Sequence, residues 1–172
     1  MNRAERTRKS DLASNILNTV PFHFWSTNSN SLIVLKECIP LVDDRTRTLM
    51  MNSPSLLTFT ETWDGWAVIS AIIDCSEDCK NQVMTIIDPL LSSMISKGGV
   101  KMQLLINLIL KGSNQLSEIL LNAGLLYEGP NQTEFAIFLL KGGSESIKSR
   151  VIKCVCFWPV EMQSNLVDCM IN

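Results

Sequence analysis

The sequence predicts a mainly β chain, a sandwich or barrel of short strands with a few flanking helices. Three observations lead there. Apolar runs rich in Val, Ile, Leu and aromatic residues recur at 32–39, 56–60, 66–73, 82–87, 100–110, 133–140 and 150–158. Turn signals built from Gly, Pro, Asn and Asp interrupt them at intervals of roughly 8–15 residues, the rhythm of an all-β domain. The composition, 46% hydrophobic and 19% charged, suits a packed core rather than a disordered chain.

The N-terminal residues begin polar. Ser10-Asp11 caps a helix over 12–20, where Leu12, Ile16 and Val20 recur on one face, and Pro21 ends it. Residues 22–31 turn from aromatic to polar and read as a loop. The first strand follows at 32–39, with Pro40 marking an edge or a bulge. Residues 41–48, if extended, place Asp43, Arg45 and Arg47 on one strand face. Asn52-Ser53-Pro54 is a turn, 56–60 a short strand, and Trp63-Asp64-Gly65 another turn.

Residues 66–73 suit a buried strand, although an apolar run of that length also fits a helix. A charged loop or short helix at 76–81 leads to a strand at 82–87, stopped by Asp88-Pro89. The character of 90–96 is ambiguous, and Lys97-Gly98-Gly99 turns into the long strand at 100–110. Gln115–Leu126 has helical spacing, with Ser113 or Asn114 as its cap. Strands at 133–140 and 150–158 flank Gly142-Gly143, and 161–170 forms a short helix with Met162, Leu166 and Met170 four residues apart.

The 172 residues correspond to one domain. Its parts are a basic head with a short helix at 1–30, a β-sandwich core at 31–160 and a tail or short helix at 161–172. A chain of about 150 residues buries roughly 70% of its unfolded surface, enough for a core without disulfides or metal. The formal charge is −2, unlike the basic balance of a dedicated nucleic-acid binder. Positive charge is local: Arg3, Arg6, Arg8 and Lys9 near the start, and Lys148, Arg150 and Lys153 later. These are the candidate nucleic-acid-binding residues, and the first group also suits an anionic membrane surface.

The basic start runs into a segment too polar for a secretory signal, and no apolar stretch reaches the roughly 20 residues of a membrane span. A cytosolic chain, at most peripheral to a membrane, is the expectation. Its six cysteines then stay reduced. Cys75, Cys79, Cys154 and Cys156 lack the tight knuckles of a structural zinc site and read as buried small hydrophobes. The sequon Asn131-Gln132-Thr133 has no meaning without secretion.

Catalysis is not expected. The one histidine, His23, lies among apolar residues with no nucleophile beside it. No phosphate-binding, dinucleotide or hydrolase motif is present. The acidic residues Asp43, Asp44, Asp64, Asp74, Glu77 and Asp78 sit beside turns and show no ligand spacing. No metal and no cofactor is implied.

Residues 31–111 carry a particular order. Leu41-Val42-Asp43-Asp44-Arg45 follows an apolar run; Trp66, Ile69, Ser70 and Asp74 come next, and Gly98-Gly99 opens the run at 100–110. This order resembles the core of the thirty-kilodalton-type plant viral movement protein superfamily, and the chain's size is similar to the small accessory movement proteins of plant rhabdoviruses. On that resemblance Leu41, Asp43 and Arg45 match the family's first element, and Trp66, Ser70 and Asp74 its second. Two features depart from the family: Asp74 stands further from Ser70 than its pattern expects, and the acidic balance is unlike its RNA-coating members.

The resemblance implies a jelly-roll-like antiparallel β-sandwich. It implies cell-to-cell transport at plasmodesmata, in the host cytoplasm and at the cell periphery. The partners would be viral RNA or nucleocapsid protein, further copies of the chain and host plasmodesmal factors. The alternative is a small viral matrix-type assembly protein that touches membranes through its basic terminus.

Overall fold

The computed structural model describes residues 3–25, 28–54, 56–112 and 115–171. Among these described residues every regular element is a helix. The expected β-sandwich, jelly-roll or otherwise, is overturned. The segments read as strands at 32–39, 56–60, 66–73, 82–87, 100–110, 133–140 and 150–158 are all wholly or largely helical. The helices expected at 12–20, Gln115–Leu126 and 161–170 are present, the first as part of a longer one.

The chain forms two compact units, Met1–Ile87 and Asp88–Asn172. The first contains α1 (Arg3–Thr19), α2 (Phe22–Trp25), α3 (Ser29–Cys38), a 3-10 turn (Ile39–Leu41), α4 (Asp44–Met51), α5 (Leu56–Phe59) and α6 (Trp63–Ile73). Helix α7 (Glu77–Lys97) runs through the boundary. The second unit continues with α8 (Gly99–Lys111), α9 (Gln115–Leu126), α10 (Gln132–Gly142), α11 (Glu145–Val155) and α12 (Val160–Ile171).

The burial pattern gives the physical reason for helix over strand. In α8, Met102, Leu105, Ile106 and Ile109 are buried while Val100, Lys101 and Gln103 face solvent. That spacing of three and four is one helix face; a half-buried strand would bury alternate residues. In α3, Leu32 and Leu35 are buried and the intervening Ile33 and Val34 are exposed. In α7 every fourth residue is buried, Cys79, Val83, Ile87, Leu91 and Ile95, and this stripe sustains the helix although Pro89 lacks the N–H its interior position would use. Helix α6 is buried on nearly every side, so its sequence shows no period to read.

The loop expected at 22–31 and the turn expected at Trp63-Asp64-Gly65 hold helix starts instead. The Asn28 side chain accepts from the Ser31 N–H at 2.8 Å, and Thr62 Oγ1 accepts from the Gly65 N–H at 3.1 Å. Each satisfies a backbone donor that the first turn of a helix leaves open.

In the first unit α3 and α5 pack on α6, and α1 packs on α3 and α4. Leu35, Ile39, Phe59, Trp66 and Ile69 are fully buried at its centre. Trp66 is the keystone: its indole N–H donates to the Thr60 carbonyl at 3.0 Å. A Cβ at Gly65 would lie 2.0 Å from the Phe59 carbonyl oxygen, so only glycine lets α6 start against the end of α5.

In the second unit α8 packs on α9 and α10, and α10 also packs on α11 and α12. Asn131 anchors this unit. It occupies the left-handed backbone region at φ 65°, and its side-chain amide donates to the Ile95 and Ser96 carbonyls at 3.1 and 2.9 Å. Those are last-turn carbonyls of α7, and the Ile95 carbonyl also accepts from the Gly98 N–H at 3.0 Å.

Candidate functional site

The residues singled out from the sequence do not converge. Leu41 ends the 3-10 turn half-buried, and Val42 beside it is buried. Asp43 caps α4: its carboxylate accepts from the Thr46 N–H at 2.7 Å. That bond and the Thr46 hydroxyl hold the Asp43 carboxyl below the ordinary carboxylate range, with the nearby Arg45 and Arg47 charges adding to the effect. The Leu-x-Asp element is therefore a helix N-terminus, not the end of a strand. Arg45 is exposed on α4, Trp66 and Ser70 are buried inside α6, and Asp74 is the exposed C-cap of α6.

Asp74 does share one polar groove of about 520 Å³ with Lys36, Glu37, Arg47 and Cys75. Arg47 pairs with the exposed Asp44 at 2.5 Å, and its Nε is buried without a hydrogen-bond partner. Burial works most strongly against the Arg47 charge, but the hydrogen-bonded Asp44 carboxylate and the nearby Cys75 and Cys79 together hold the guanidinium pKa above its ordinary value. Burial pushes the Cys75 thiol pKa up, and the Arg47 charge only partly offsets this. Cys75 Sγ donates back to the Ala71 carbonyl at 3.2 Å. The groove thus holds two cations against two carboxylates and a protonated thiol, and it also lies at the C-terminal ends of α3 and α6, where backbone carbonyls favour positive charge. Arg47 answers that need itself.

The basic residues are partly spent inside the fold. Lys9 pairs with Glu5 at 3.1 Å, and Lys148 with Glu145 at 3.0 Å. Arg150 binds both Glu118 and Asn122, joining α11 to α9. Arg8 and Lys153 are exposed. The side chains of Arg3 and Arg6, and that of His23, lie outside the described residues. Among the described residues no three His, Cys, Asp or Glu side chains stand close enough to share a metal ion. Cys154 instead donates to the Leu125 carbonyl at 3.1 Å. No helix among them is long and apolar enough to cross a membrane.

What sequence reasoning missed is the apolar surface of the second unit. A groove of about 610 Å³ lies along α8 and α10, lined by Val100, Leu104 and Phe138, with Gln103, Asn107 and Glu134 supplying its polar atoms. Val100 is 87% exposed. The signal was present: 100, 103/104 and 107 share a helix face, but that face appears only once the segment is read at period 3.6.

Comparison with protein-family models, with curated proteins and with solved structures gives no match.

Proposed function

We propose that the chain is a binding and assembly protein, and that the α8–α10 groove takes the apolar face of a helical segment from a partner protein. The exposed Val100 above Leu104 and Phe138 is the observation that supports it. An apolar groove between two helices, with a few polar atoms at its edge, suits helix-in-groove recognition. Glu134 is the one charged group lining it, so a basic residue on the incoming helix complements it.

Transport of a viral genome between cells is a narrower proposal within this class. It draws only on residue order and local charge, and its signature, once read as strand-borne, now sits on helix ends and in a helix core. It ranks behind the binding reading.

Site-specific photo-crosslinking tests the groove. A benzophenone side chain at Gln103 should yield a discrete adduct that disappears with Val100→Glu, while the same group at exposed Asn18 should not yield it. Adducts independent of position, or unchanged by Val100→Glu, would contradict the reading.

A further inference from the structure

Helices α8 and α10 lie side by side and run in the same direction. A Cβ at Gly98, the residue before α8, would lie 3.0 Å from Nδ2 of Asn131, the residue before α10. A Cβ at Gly142, which ends α10, would lie 2.7 Å from Leu110 Cδ1 in the last turn of α8. Both the starts and the ends are adjacent, so the pair is parallel.

Each helix turns a stripe of the same spacing to the groove. At 100° per residue, Val100, Leu104, Asn107 and Lys111 fall within about 60° of one another on α8. Glu134, Phe138 and Lys141 do the same on α10. The steps of four and three are those by which helices interlock side by side. The apolar area comes from Val100, Leu104 and Phe138. The charges stand at opposite ends. Glu134 is in the first turn of α10, and Lys111 and Lys141 are in the last turns of α8 and α10. All three are exposed. None of them takes part in an ion pair among the described residues.

This distribution makes the face its own complement. Rotated by half a turn about an axis perpendicular to the helices, a second copy brings Lys111 and Lys141 to Glu134, and its Glu134 to the two lysines. Leu104 and Phe138, midway along, meet their counterparts. The facing helices are then antiparallel, so their dipoles also oppose favourably. A parallel second copy would set Glu134 on Glu134 and lysines on lysines. Exposed ion pairs are worth only ~0–1 kcal/mol each, so the apolar contact holds the pair and the charges choose its direction.

We propose that the α8–α10 face docks the same face of a second copy of this chain, antiparallel and two-fold related. The proposal rests on the docking reading of this groove and names its occupant.

Sedimentation of the full chain over a concentration series tests it. A reversible dimer is expected. Val100→Glu, at an exposed position, should raise its dissociation constant by about tenfold or more, because each substitution acts twice in an isologous pair. Glu134→Lys should weaken the dimer, and so should Lys111→Glu combined with Lys141→Glu, since one sign of charge then fills both ends. Mixed together, those two variants should pair more tightly than either does alone. A chain carrying all three charge substitutions should dimerise with itself again. A wild-type chain that stays monomeric, a dimer indifferent to Val100→Glu, or a mixture that pairs no better than its components would overturn the proposal. A monomeric chain whose Gln103 adduct with another protein still depends on Val100 would overturn the second copy alone and leave the docking reading standing.

Discussion

At the scale of single residues, polar side chains here work mainly on helix ends. Asp43 is the clearest case. Its carboxyl pKa is depressed by the Thr46 N–H it accepts from. A group depressed on folding adds stability above its unfolded pKa and loses it as pH falls through the folded value. The chain should therefore lose stability on acidification below the ordinary carboxylate range. Asp43→Asn, which keeps a capping oxygen without the charge, should lose less over the same interval in urea midpoints; an unchanged acid response would remove Asp43 from that role. Asn131 makes a larger contribution, because its amide serves two carbonyls of α7. Asn131→Ala should destabilise the fold by about 1–2 kcal/mol in urea unfolding, the net worth of two part-buried hydrogen bonds. Neither role was legible in the sequence. Asp43 stood out as a strand-face charge, a turn-side carboxylate and part of a family-like order, never as a cap, and Asn131 only as part of a sequon, since a cap is recognised after the helix it caps.

At the scale of elements, what could be read depended on how clearly period 3.6 showed. Helices α9 and α12 carry apolar residues at spacings of three and four amid polar ones, and both were legible, as was the second half of α1. Helix α8 misled because its apolar residues are nearly continuous; Val100, Leu104 and Leu110 filled the gaps between the buried positions. Helix α6 misled in a similar way, being buried on nearly every side. In α7, Pro89 read as a stop, but the buried stripe on both sides of it outweighs one missing hydrogen bond. Trp66 tests the packing of α6 directly. Trp66→Ala should cost about 3–5 kcal/mol, the range for deleting a buried aromatic, with the loss visible in thermal unfolding. Gly65→Ala should also destabilise, by about 1–3 kcal/mol, because the added methyl meets the Phe59 backbone rather than a movable side chain. A neutral Gly65→Ala would mean that α5 and α6 meet less closely than described.

At the scale of the whole molecule, the chain consists of two helical units, and its unused apolar surface in the second is set out on helix faces. The candidate site was not legible because it depends on the helical period: Val100, Leu104 and Asn107 come onto one face, beside Phe138 of α10, only when residues 99–111 and 132–142 coil. The same change dissolves the strand-borne signature, sending Asp43 to a cap and Trp66 to the core. The α8–α10 groove therefore depends on residues 99–111 and 132–142 being helical. Far-ultraviolet circular dichroism of the purified chain tests that most directly. The paired minima of a predominantly α-helical protein are expected; a single sheet-type minimum would restore the extended reading and remove the α8–α10 groove.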